Sequence, residues 1–254
     1  MRWVVVRSLA AVALAVLVAC SEEAEPDLSE VPPEELYRRA EETFASSPAR
    51  AAEAFEQVEQ VHPYSPEAKI SILRAGEAHF EVGRFEQAQA AAERFLSLHP
   101  GDDEAPRAQF ILALSGYDRI SDPSRSQAFT QQAEQELQEL VTRYPESDFA
   151  REAELRLDIV REQLAAHELH IARFYMRSGR FPPAINRLRT VVDEYPQTKE
   201  VVEALYRLVE ANLALGLRDE ARRAAAILGN NFPASPWYAD AYALVSGLSA
   251  EEEG

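Results

Sequence analysis

Gly179-Arg180-Phe181-Pro182-Pro183-Ala184-Ile185-Asn186-Arg187-Leu188, running on through Val191 to Tyr195-Pro196-Gln197-Thr198, is the stretch that decides the fold. Counted from Pro196, a ring stands one residue before, Val191 five before, Ala184 twelve before and Gly179 seventeen before; Thr198 follows by two. Working outward, Pro63, Pro100, Pro145 and Pro233 share this frame. The residue before each of the five prolines is His62, His99, Tyr144, Tyr195 or Phe232. Five before stand Val58, Phe95, Leu140, Val191 and Leu228, and twelve before stand Ala51, Ala88, Ala133, Ala184 and Ala221. Eight after come Ser71, Ala108, Ala153, Ala204 and Ala241.

The register has a physical meaning. Ser65, Asp102, Ser147, Thr198 and Ser235, each two after a frame proline, are of the types that cap helix N-termini, and the frame predicts five such caps. Gly83, Gly179 and Gly216 predict the left-handed ends of those helices. A second helix of about fifteen residues then runs back to the ring and proline. The small residues let two backbones approach and the larger apolar residues fill the space beside them. Each unit is a helical hairpin that cannot bury its apolar face alone, so the units stack. The expected fold is all-α, an α-solenoid of five tetratricopeptide-like hairpins over residues 33–247.

Frame prolines are spaced by 37, 45, 51 and 37 residues. The first excess is accounted for by a loop, Ser121-Asp122-Pro123-Ser124-Arg125. The second has no Gly or Pro between Ser147 and Ser178 and continues one stripe, Ala150, Ala153, Leu157, Val160, Leu164, His167, Ile171 and Phe174. It predicts one elongated helix of about thirty residues in the fourth repeat, near 45 Å long. Such a helix projects beyond its repeat or bridges two halves. His167 lies on the stripe and is expected in the core, while His62 and His99 are expected to stack in the turns. Phe174, Tyr175 and Phe181 are expected to pack around the end of the long helix, and Trp237 and Tyr238 to pack the last helix onto the repeat before it.

The chain begins with Arg2 and Arg7, an uncharged run over 9–19, and Cys20 followed by Ser21-Glu22-Glu23-Ala24-Glu25. The run is too short to span a bilayer and reads as a signal peptide over 1–19. Leu17-Val18-Ala19-Cys20 resembles a bacterial lipobox, which implies recognition of Leu17, Val18 and Ala19 by the lipoprotein signal peptidase and lipidation of Cys20. Ser21, being no Asp, implies outer-membrane sorting. Residues 20–32 are expected to be an extended acidic linker and 248–254 an acidic tail.

The 254 residues carry 26 Lys+Arg against 43 Asp+Glu, a net charge of −17. That balance repels phosphates and disfavours nucleic acid as a partner. The single cysteine excludes an intramolecular disulfide framework and a thiolate metal cluster. His167 and His170 lack both the four-residue spacing of a zinc protease helix and a third ligand. No phosphate loop or nucleophile elbow occurs, so no catalytic residue, metal or cofactor is expected, and the protein is not expected to be an enzyme.

Residues 171–198, with Ala204-Leu205-Tyr206-Arg207-Leu208-Val209-Glu210-Ala211, Ser235-Pro236-Trp237-Tyr238 and the lipobox, resemble the BamD family of lipoproteins of outer-membrane β-barrel assembly. The resemblance runs from the lipobox to about Val245 and is weakest at Ser46-Ser47-Pro48. It implies a lipid-anchored, periplasm-facing scaffold of the BAM complex. Its partners would be BamA, a barrel protein bearing POTRA domains, other BAM lipoproteins and unfolded outer membrane protein precursors. Asn186-Arg187 matches the family's pair at the BamA-facing repeat. Precursors would be met by the N-terminal repeats, where the sequence singles out no residue. A cell-envelope adaptor of the Tol-Pal or division type is the alternative on the same scaffold, although the lipobox and the long helix argue against it.

Overall fold

The structure, a computed structural model, describes residues 27–252. Cys20 and the lipobox residues Leu17, Val18 and Ala19 lie outside the described residues. Among the described residues the chain forms eleven α-helices: α1 (Pro33–Phe44), α2 (Pro48–Val61), α3 (Pro66–Glu81), α4 (Phe85–Leu98), α5 (Ala105–Tyr117), α6 (Ala128–Arg143), α7 (Asp148–Arg177), α8 (Phe181–Glu194), α9 (Glu200–Ala214), α10 (Arg218–Asn231) and α11 (Pro236–Glu252). They pair in chain order as five hairpins, α1/α2 to α9/α10, and α11 packs on α9 and α10. A short 3-10 turn at Leu28–Glu30 precedes them, so the end of the acidic linker is not simply extended. The carbonyl of Val31 holds His62 Nε2 at 2.8 Å, tying the entry to the first turn.

The frame is the packing plan of the molecule. All fifteen residues at five before, twelve before and eight after the frame prolines have 0% relative exposure. A residue before proline is kept out of the helical region by the proline Cδ, and that is how the even-numbered helices end. His62, His99, Tyr144, Tyr195 and Phe232 all lie at φ between −124° and −135° and ψ between 47° and 58°. Each donates its N–H to the carbonyl four residues back, which is the buried Val58, Phe95, Leu140, Val191 or Leu228. At the other end of the hairpins Gly179 has φ +68°, a conformation that any side chain would strain.

Three of the five expected caps form. Ser65 and Ser147 accept the N–H of Ala68 and Ala150 at 3.0 and 3.1 Å, and Ser235 accepts that of Trp237 at 3.2 Å. Asp102 and Thr198 do not cap. There α5 and α9 start later, at Ala105 and Glu200. Asp102 instead accepts from Glu104 N and Lys69 Nζ, and the Thr198 hydroxyl donates back to the Tyr195 carbonyl at 2.8 Å. The side chains are spent on the turn before the helix rather than on its first N–H groups.

The thirty-residue α7 is continuous and belongs to two cores. Ala153, Leu157, Val160 and Leu164 join Leu137 and Leu140 of α6 and Phe110 and Ala113 of α5. From Ala165 onward the buried residues are Ala165, Leu169 and Ala172, which join Leu188 of α8 and Leu205 of α9. At 100° per residue the two buried faces differ by about 110° around the helix. The single stripe expected through His167, Ile171 and Phe174 is therefore wrong beyond Leu164. The physical reason is length: α6 has sixteen residues, and lying antiparallel to α7 it runs out near residue 163. Phe174 is left 54% exposed. His167 is half-buried rather than in the core, and its Nδ1 meets the carbonyl of Pro123 in the loop that precedes α6, beside the bond from Gln163 Nε2 to the Ser121 carbonyl.

Of the two turn histidines expected to stack, His99 lies against Phe95 with centroids 5.4 Å apart but with the planes tilted by 59°, and His62 is held by the Val31 carbonyl. Trp237 of α11 packs on Tyr206 of α9 at 4.9 Å.

Candidate functional site

Two surfaces stand out, one in each half of the chain. The first is built on α7 and α8. Asn186 and Arg187 are exposed on α8 and line a shallow cleft of about 260 Å³ with Tyr175, Pro183 and Thr190. Pro182 and Pro183 enter the first turn of α8, where the missing proline N–H groups cost no helix bond. Arg187 Nη1 donates to both carboxylate oxygens of Glu168 on α7, at 3.1 and 3.0 Å. The sequence pair is thus brought into one cleft, and its arginine has a partner within the chain.

The second surface crosses α1, α3 and α5, a groove of about 320 Å³. Its apolar walls include Phe44, Phe80 and Phe110, and its polar wall is Arg74, Glu77 and Arg107. Arg74 grips Glu41 with two bonds, Nε to Oε1 at 2.6 Å and Nη2 to Oε2 at 2.7 Å, and lies over the Phe44 ring at 4.3 Å. Glu77 takes bonds from both Arg74 and Arg107, so one charge ladder ties three helices. Burial works against the Glu41 charge, but the bonds from Arg74 and Tyr37 outweigh it and hold the carboxyl below its ordinary value. Tyr37 is pushed up to about 12, by burial first and then by the Glu41 carboxylate that its hydroxyl donates to. A fixed ladder beside apolar rings can hold an extended segment by its side chains without chemistry. Sequence reasoning missed this groove. The signal was present, since Phe44 and Phe80 stand one repeat apart on successive odd-numbered helices, but those positions lie outside the buried frame.

Among the described residues no group of three or more His, Cys, Asp or Glu side chains is placed to hold a metal ion. No helix among them is long and apolar enough to cross a membrane.

The sequence profile of YfiO, described as an outer membrane lipoprotein, matches residues 29–228. The chain belongs to this family. A relative from Caulobacter vibrioides, named outer membrane protein assembly factor BamD, is 42% identical over 196 residues, covering 77% of this chain and 64% of its own length. Relatives with the same name come from Rickettsia prowazekii, 36% identical over 77% of this chain and 78% of theirs, and from Neisseria meningitidis serogroup A, 30% identical over 82% of each. Among solved structures, the TPR2AB domain of yeast Sti1 is 13% identical with a TM-score of 0.42, covering 86% of each chain. The YfiO match spans both surfaces, from before α1 to within α10.

Proposed function

We propose that the chain is a lipid-anchored, periplasm-facing scaffold of outer-membrane β-barrel assembly. Its α7 and α8 cleft, with Asn186 and Arg187, binds a BamA-like barrel protein bearing POTRA domains. The groove of Phe44, Phe80, Phe110 and Arg74 receives extended segments of unfolded outer membrane protein precursors. Other lipoproteins of the BAM complex are further partners. Cys20 carries the lipid, and because one acyl chain alone holds only marginally, the several chains of a bacterial lipoprotein keep the solenoid at the membrane. A partner tethered to the same membrane is then met at raised effective concentration. The observation that carries this reading is membership of the YfiO family together with relatives named as outer membrane assembly factors. The work is binding and positioning rather than covalent chemistry, and the acidic chain leaves no role for nucleic acid.

The test is purification of the tagged chain from gently solubilised envelopes, with mass spectrometry of what accompanies it. A POTRA-bearing barrel protein in stoichiometric yield is the expected result. Tol-Pal components in its place would overturn the choice of partner.

A further inference from the structure

The five frame-proline turns join successive hairpins and so lie along one edge of the stack, but they are not alike. Two residues before the proline stand Val61, Leu98, Arg143, Glu194 and Asn231; one residue after it stand Tyr64, Gly101, Glu146, Gln197 and Ala234. The large apolar side chains at these places are confined to the first two turns. Gly, Glu, Gln or Ala serves where Tyr64 stands, so the turn itself does not call for a ring. Tyr64 is fully exposed and Leu98 is 58% exposed. They flank a shallow groove of about 600 Å³ that Pro63, Pro66 and Ile72 also line.

The chain enters at the same edge. The Val31 carbonyl holds His62 Nε2 at 2.8 Å, two residues from Tyr64. The described chain begins at Asp27, one 3-10 turn before Val31. Seven steps of chain separate Asp27 from Cys20 and reach at most about 25 Å. A lipid on Cys20 therefore keeps the first turn close to the headgroups, while the last frame turn, at Phe232, lies four hairpins further along. The apolar rim and the anchor point coincide.

We propose that Tyr64 and Leu98 form a second, non-covalent membrane contact, resting in the interface of a zwitterionic bilayer beside the anchor. This rests on the lipidation of Cys20 in the reading above and goes beyond it. Tyrosine is favoured at the headgroup level, where the ring is buried and the hydroxyl stays wet. Charge selects the kind of surface. Lys69 in the groove is held by Asp102 at 2.6 Å, and Glu59 takes Arg94 at 2.8 Å. Glu67 and Asp103 add negative charge to the rim, so anionic headgroups are repelled and neutral ones are not. Two side chains are too small a contact to hold the chain without the lipid. The tether supplies the raised effective concentration at which a small contact is occupied. The solenoid is then held at two points, with the proline turns of its first repeats toward the bilayer and the turn at Gly83 away from it.

The experiment places the lipidated full-length chain in phosphatidylcholine vesicles and reads nitroxide labels by electron paramagnetic resonance. Cys20 is the only cysteine and its sulfur carries the lipid, so Tyr64→Cys, Leu98→Cys and, at the opposite edge, Leu217→Cys each offer one free thiol. All three positions are exposed, and circular dichroism melts control for folding. On vesicles the labels at 64 and 98 should gain collisions with oxygen and lose collisions with a water-soluble nickel complex, relative to the label at 217. Labels at 64 and 98 as wet as that at 217, on a chain that floats with the vesicles, would overturn the contact and leave the anchor standing. A chain that does not float would bring down both. Immersion only after phosphatidylglycerol is added would also overturn the proposal, because the rim would then be reading negative charge.

Discussion

Arg187 and Glu168 join α8 to α7 as unequal partners: the arginine side chain is 45% exposed and the glutamate 15%. The covered carboxylate is fixed and the open guanidinium is the member that can exchange it for another. Exposed pairs of this kind contribute about 0–1 kcal/mol, so a partner's carboxylate can compete at little cost.

Arg187→Glu should therefore weaken recovery of the barrel partner by roughly tenfold or more, with helicity unchanged. The double variant Glu168→Arg with Arg187→Glu restores the internal pair with its polarity reversed. It should recover the melt of the wild type but not its partner, and full recovery of binding would assign Arg187 a structural role only.

Ala153 sits at 0% exposure against α6, in the core with Leu137 and Leu140. Ala153→Leu adds volume where two backbones approach, and should lower stability by about 1–3 kcal/mol. A thermal melt at wild-type temperature would contradict the packing register.

Arg74→Ala removes the two-pronged bond to Glu41 and the cation over Phe44. Loss of a partly buried charged bond points to a cost of about 1–3 kcal/mol by denaturant titration. Arg74→Lys should recover little of it, because an ammonium cannot make the forked contact.

Glu136 is half-buried; burial pushes its carboxyl up from the ordinary 4.5, and the bond from Gln109 opposes this only in part. A carboxyl raised in the folded state binds its proton more tightly there than in the unfolded chain. Its charge therefore costs stability at neutral pH, and the cost fades as pH falls through the raised value. Glu136→Gln should be more stable than wild type at pH 7, and the two should converge below about pH 4.5. Glu41 behaves in the opposite sense, since its lowered carboxyl contributes stability above the ordinary value that is lost as pH falls through the lowered one. Equal melts at pH 7 for wild type and Glu136→Gln would refute this account.

Cys20→Ser should leave the melt unchanged and move the chain from the membrane fraction to the soluble one, as read by fractionation. Retention in the membrane would mean that something other than the lipid holds it.

What was legible in the sequence was the part enforced by sterics. A ring before proline can end a helix in only a few ways, and alanine at a close approach leaves little choice, so the fifteen buried frame positions sit where the register puts them. Asp102 and Thr198 misled because a capping residue type is also a turn-forming type, and which use it finds depends on where the next helix starts. His167 and Phe174 misled for another reason. Periodicity records which face a helix keeps apolar, whereas α6 decides how far that face is covered. The groove at Arg74 left no motif, because its ladder is assembled from single residues on three helices. The Asn186 and Arg187 pair was singled out by the family resemblance rather than by any pattern in the chain, and the bond of Arg187 to Glu168 was not legible because it depends on the neighbouring helix.

The unbroken α7 also has a mechanical consequence. Leu164 and Ala165 are adjacent in the chain and belong to different cores, with no linker between the halves they anchor. The two halves therefore have no swivel, and turning one against the other requires bending a helix clamped on both sides. From Ala150 to Phe174 is roughly 36 Å of such a rod at 1.5 Å per residue. A push at the Phe174 end is delivered to the N-terminal repeats as a lever delivers it, through rotation of the whole half rather than through a chain of small rearrangements.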